Sequence, residues 1–228
     1  MPVDRQEFVN VALRHATDYP LAEGRIVSDS GLDIAVEEVE QHFVEEHRPQ
    51  STALFATLHG KPYLVGPLAR LNLNHDRLPA SSRALLEQSG IRFPSDNMFH
   101  SLFARALEIH IAIVEAIRLL DGYQLPERAH VECEPRAGVG FGATEAPRGV
   151  LWHRYEVDDK GIVRSARIVP PTSQNQARIE ADLHRSLLNF GLDRPDEELR
   201  LRAETVIRNY DPCISCATHF LKLDVQRR

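Results

Sequence analysis

The sequence predicts an α+β fold, mainly helical, with two β-hairpins. Three observations carry this. Over 97–120, Phe99, Phe103, Ala106, His110, Ile113, Ile117 and Leu120 return at helical spacing. Two more helical stretches, 176–190 and 195–209, follow nearer the C-terminal end. Between these and the long helix, residues 150–157 and 162–169 flank Asp158-Asp159-Lys160-Gly161, a strong hairpin turn.

From the start of the chain, Phe8, Val11, Ala12 and His15 share one face of a helix expected over 5–16. Residues 25–28 suit a short strand. Ile34, Val36, Val39 and Phe43 suggest a helix over 33–46. Residues 51–66 read as a hairpin with arms 53–58 and 62–65, turned by His59-Gly60-Lys61. A helix is expected over 81–88, and Asp96 is the expected N-cap of the long helix. That helix also carries Leu102, Ile109 and Val114 off its main stripe, so burial on most sides is expected. Residues 130–133 suit a strand. Gly138, Gly140 and Gly142 form G-x-G-x-G before a hairpin, which argues against a phosphate cradle and for a turned backbone or a close approach to a cofactor. Pro170-Pro171 ends the second strand of the later hairpin.

The 228 residues are 43% hydrophobic, enough for one sizeable core, and no repeat or linker interrupts them. Residues 1–228 are therefore read as a single domain. A net charge of −6 without a basic patch excludes a nucleic-acid partner. Arg105, Glu108, Glu115 and Arg118 within the most apolar helix exclude a membrane span. The first residues show no basic-then-apolar leader. Three cysteines, an odd number, fit a reducing cytoplasm.

The chemistry concentrates in Asp211-Pro212-Cys213-Ile214-Ser215-Cys216-Ala217-Thr218-His219. Two thiols two residues apart can reach one soft metal, and an imidazole follows. A zinc ribbon needs a second pair, and Cys133 is alone. A redox pair of the thioredoxin type opens a helix after a strand, whereas this pair follows a helix. The alternatives are an ordinary buried pair, or a metal site completed by another polypeptide or by non-protein ligands. Upstream, Arg148 between Pro147 and Gly149 is either a turn residue or a guanidinium aimed at a site. Thr172 and Ser173 are either helix caps or donors facing an anionic ligand.

This C-terminal segment resembles the signature of nickel-iron hydrogenase large (alpha) subunits. Three more segments resemble that family in the same order. They are Gly66-Pro67-Leu68-Ala69-Arg70-Leu71-Asn72-Leu73-Asn74, Glu145-Ala146-Pro147-Arg148-Gly149 and Pro171-Thr172-Ser173-Gln174-Asn175. The family has a second Cys-x2-Cys pair near its N-terminal end, which this chain lacks, so the resemblance covers only the C-terminal half of a large subunit. It implies a nickel-iron-hydrogenase-like fold and reversible H2 oxidation at a Ni-Fe centre whose iron carries CN and CO ligands. Cys213 is then a terminal nickel ligand and Cys216 bridges nickel and iron. His219 and the backbone carbonyl of Ile168 hold magnesium. Arg148 and Asp211 act at the open face of the metals, and Pro147, Pro171 and Thr172 surround the iron's diatomic ligands. Implied partners are an iron-sulfur small subunit, electron-transfer subunits for a nicotinamide-type carrier, and a separate N-terminal half. The alternative is an inactive assembly or binding remnant of the same fold.

Overall fold

A computed structural model describes residues 2–213. Strand β1 (Val11–Arg14) pairs antiparallel with β2 (Arg25–Ser28), which pairs with β3 (Asp33–Ile34), in the register Leu13↔Ile26↔Ile34. The helix expected over 5–16 is therefore corrected. Val9 and Val11 exchange backbone hydrogen bonds with Leu64 at 2.8 Å, a non-local pairing that overrides the local pattern. The helix expected over 33–46 is also corrected. After β3 the chain makes a 3-10 turn over 36–38, one helical turn, α1 (Val39–His42), and strand β4 (Phe43–Glu46). β4 takes β5 (Phe55–Leu58) as its partner, with Glu45 opposite Ala56. The hairpin expected over 51–66 thus loses its second arm to residues 9–11, although His59 and Gly60 still turn the chain at positive φ.

Helix α2 (Pro67–Asn74) opens with proline at its first position, where the ring's fixed φ suits a helix start. α3 (Ala80–Ser89) ends at Gly90 in the left-handed region. α4 (His100–Asp121) begins later than expected, and Asp96 does not cap it; the carboxylate pairs with Arg5 at 2.8 Å instead. α4 packs against α2 and α3 through Ala104, Leu107 and Ile111, and its opposite face is exposed rather than buried.

Residues 130–133 form no strand. The glycine run instead starts strand β6 (Gly138–Ala146), paired with β7 (Gly149–Val157), which pairs with β8 (Val163–Val169). Phe141 and Ala143 face the core beside Trp152, so the glycines alternate with side chains that pack. The hairpin of β7 and β8 is as expected, and its turn is tied by Asp158 Oδ1, which accepts from the amides of Lys160 and Ile162 at 2.9 Å. α5 (Pro171–Phe190) starts five residues before the expected 176, directly after Pro170, and lies on α6 (Asp196–Arg208). Among the described residues no helix is long and apolar enough to cross a membrane.

Candidate metal centre

Two glycines set the geometry. A Cβ on Gly149 would stand 2.5 Å from Val65 Cγ2, and one on Gly66 would stand 2.7 Å from the Arg148 carbonyl oxygen. Only residues without Cβ let the start of α2 and the turn from β6 to β7 cross this closely. The two residues in that turn, Pro147 and Arg148, are thereby seated against residues 65 and 66. The first turn of α5 closes the other side. Asn175 brackets Val65, accepting from its N–H at 2.9 Å and donating to its C=O at 3.1 Å. Gln174 donates to the carbonyls of Val150 and Val169 at 2.5 and 3.2 Å. These two amides fasten backbone and do not serve as free donors.

Behind the turn lies a buried ion cluster that sequence reading missed. Arg70, 3% exposed, donates to both oxygens of Glu108 at 2.6 and 2.7 Å and to Glu145 at 2.5 Å. It also donates to the carbonyl of Ala146 at 2.9 Å. Tyr19 donates to Glu108 at 2.6 Å, and the Leu13 N–H donates to Glu145 at 2.7 Å. Burial pushes the Glu145 carboxyl above the usual carboxylate range, and Arg70 opposes that shift. Burial likewise acts to lower Arg70, but the charges of Glu108 and Glu145 outweigh it and hold the guanidinium cationic. One fork thus satisfies two carboxylates and a turn carbonyl, which is arginine's particular capacity. Arg70 and Glu145 lie within two of the family-like segments, yet nothing in their local pattern announced that they pair.

The turn, the end of β8, the start of α5 and the chain after α6 surround one cleft of about 500 Å³. Pro147, Arg148, Ile168, Pro171, Thr172 and Cys213 all line it. Asp211 stands beside them. Its Oδ2 lies 3.3 Å from Arg148 Nε and 4.0 Å from Arg105 Nε, and its backbone carbonyl accepts from Arg148. Asp211 has φ of 48°, a left-handed conformation that aspartate tolerates. That kink turns the chain from α6 toward Cys213, and the neighbouring Tyr210 hydroxyl anchors it by donating to the buried Asp182. Both partners of the Arg148–Asp211 pair are over a third exposed, so the pair orients more than it stabilises. The N-terminal end of α5 opens on the cleft through Pro171, Thr172 and Ser173, and its unpaired N–H groups favour negative charge there.

Glu45 and Ser173 also line the cleft, and sequence reading assigned Glu45 nothing. Ser173 Oγ donates to Glu45 at 3.2 Å, and Arg167 reaches the same carboxylate at 3.4 Å. Cys216 and His219 fall outside the described residues. Cys213 lines the cleft at the end of the described residues, and ligation of a metal there requires its thiolate. Among the described residues no three metal-ligating side chains gather at one point.

A family model described as nickel-dependent hydrogenase matches residues 55–219. The chain belongs to the nickel-dependent hydrogenase family. It is 37% identical over 185 residues to the alpha subunit of sulfhydrogenase 1 from Pyrococcus furiosus, a match covering 80% of this chain and 42% of that one. It is 34% identical over 165 residues to the beta subunit of the NAD-reducing hydrogenase HoxS from Cupriavidus necator, covering 69% and 34%. Among solved structures, the NAD+-reducing NiFe-hydrogenase in its H2-reduced state aligns with a TM-score of 0.74 at 30% identity, over 95% of this chain and 51% of that chain. A NiFeSe-hydrogenase from Dm. baculatum shares the fold at 22% identity with a TM-score of 0.63. This member of the family therefore spans about half, or less, of the length of the relatives it matches.

Proposed function

We propose that this chain is the C-terminal part of a cytoplasmic hydrogenase large subunit, in which it supplies half of the cysteine ligands of a Ni-Fe centre. The observation that carries the reading is the cleft in which Arg148, Thr172, Pro147, Pro171 and Cys213 converge. Its chemistry fits such a centre. A thiolate is a soft donor suited to nickel. The prolines give an apolar wall with no N–H of their own, and no described residue bonds the Thr172 hydroxyl, which leaves it able to donate to a cyanide nitrogen. The helix end and Arg148 together favour a negatively charged group. The described residues contribute one sulfur, so the centre also requires Cys216 and two further cysteines from outside this sequence.

When bound, the Ni-Fe centre would supply heterolytic cleavage of H2. Arg148 would place a guanidinium N–H over the reacting face, where exclusion of water strengthens it. Asp211 would hold that guanidinium in position and offer a carboxylate close to it. His219 and the Ile168 carbonyl would hold magnesium, a hard cation suited to such donors when water completes its shell. Electrons would leave through an iron-sulfur small subunit, because three cysteines cannot also hold a chain of clusters. The NAD+-reducing relative motivates a nicotinamide-type carrier as the final acceptor.

The test is nickel content and hydrogen-dependent dye reduction. The reduced chain alone is expected to hold less than one nickel and to show no turnover. Completed by the missing half, it should take up nickel, and Cys213→Ser should abolish that uptake. Turnover by the isolated chain, or unchanged nickel in Cys213→Ser, overturns the proposal. The second reading is an inactive assembly or binding remnant of the same fold, and the same substitution tests it. A neutral Cys213→Ser in the completed complex favours that reading.

A further inference from the structure

The hairpin of β4 and β5 ends in a pair of histidines that do not line the cleft. Phe43 lies opposite Leu58, and both are buried in the core. One step beyond that pair, the His59 N–H donates to the His42 carbonyl at 3.2 Å, which sets these two residues opposite each other. Their rings come out at the surface, His42 half-buried and His59 exposed. There His42 Nδ1 lies 3.0 Å from His59 Nε2, with the ring centroids 5.2 Å apart. Among the described residues neither ring has another hydrogen-bond or ion-pair partner. The frame beneath them is fixed. His59 has φ of 49°, in a left-handed region that histidine adopts more readily than most side chains. Leu58 and Lys61 close the turn by exchanging backbone hydrogen bonds at 3.0 Å.

The geometry points to a surface site for a divalent transition-metal ion at His42 and His59, of the nickel(II) and copper(II) class. In the hydrogen-bonded pair a single proton lies between two ring nitrogens. A metal ion can take that proton's place with both imidazoles neutral, the form in which histidine ligates. The spacing of the nitrogens selects among metals. A metal–imidazole bond is about 2.0–2.1 Å long, so two nitrogens at a right angle stand about 2.9–3.0 Å apart and two at the tetrahedral angle about 3.3–3.4 Å. The observed 3.0 Å is the right-angle value. Square-planar and octahedral centres have that angle, as copper(II) and nickel(II) prefer, whereas zinc prefers the tetrahedron. Among the described residues no third metal-ligating side chain joins the pair, so water completes the shell. Such a site exchanges its ion readily and suits transient capture. His42 stands three residues before Glu45 of the cleft wall, about 10 Å away along the extended chain.

The experiment titrates the untagged full chain with nickel chloride in a Cys213→Ser, Cys216→Ser background. Removing those thiols makes the result independent of whether the cleft takes nickel. Calorimetry is expected to find one nickel per chain, and paramagnetic broadening of NMR signals should fall first on the rings of His42 and His59. His42→Gln and His59→Gly should each weaken binding at least tenfold; glycine is chosen at position 59 because it accepts the positive φ. Copper(II) should bind more tightly than nickel, and zinc more weakly than nickel because the pair does not offer the tetrahedral angle. Circular dichroism checks that each variant is folded, and if one is not, the broadening pattern of the intact pair decides. No binding tighter than about 1 mM, unchanged affinity in either folded variant, broadening that falls first on other histidines, or zinc bound as tightly as nickel would overturn the inference.

Discussion

Replacing Arg70 with methionine removes the centre of the buried ion cluster while keeping a side chain of similar bulk. The Glu145 side chain is 1% exposed and that of Glu108 14%, so neither carboxylate gains full solvation when the guanidinium leaves. Breaking a buried pair from one side costs about 3–5 kcal/mol. For a chain of this size that lowers Tm by roughly 6–20 °C. The loss should depend on pH, and its sign is fixed by Glu145. Burial already raises this carboxyl, and Arg70 is the main charge opposing the rise. Without Arg70 the folded-state pKa climbs further above its unfolded value. The folded variant then binds more protons than the unfolded chain through that window, and its stability falls as pH rises. Thermal melts followed by circular dichroism should therefore show a smaller deficit near about pH 5 than near about pH 8. Arg70→Lys should be intermediate, since an ammonium keeps the charge but cannot fork between two carboxylates. A melting point within about 2 °C of the parent, or a deficit of equal size at both pH values, would refute the reasoning.

Two further outcomes are expected. Gly149→Ala should destabilise by roughly 2–5 kcal/mol, combining a strained positive φ with a 2.5 Å clash on Val65; denaturant melts measure it. Burial holds the His100 imidazole below its usual pKa, and its Nδ1 lies 2.7 Å from Ser95 Oγ. The unfolded chain then binds the extra proton first, so this contribution to stability is present above the unfolded pKa of about 6.5 and lost as pH falls from there through the lowered folded-state pKa. His100→Asn should flatten the slope of stability against pH in that window, which urea titrations at several pH values would detect.

The site residues and the elements were not equally legible in the sequence. Arg148, Pro171, Thr172 and Cys213 could be named because their identities sit in short segments that resemble a family. Glu45 and the Arg70 cluster could not, because each acts through a partner between 38 and 128 residues away. The helix expected over 5–16 failed for the same reason: β1 exists through its hydrogen bonds to β2 and Leu64. The glycine run at 138–142 offered no local preference, and β7 made it a strand.

By itself, the sequence determined where the hairpin of β7 and β8 and the helices α3, α5 and α6 lie, and which side chains could meet a soft metal. These depend on turn chemistry and on periodicity within a few residues. Only the tertiary structure decided that Gly66 and Gly149 cross, that Asp211 reaches Arg148, and that the outward stripe of α4 is exposed among the described residues. Close approach, buried charge and exposed area are properties of pairs distant in the chain, and no local pattern encodes them.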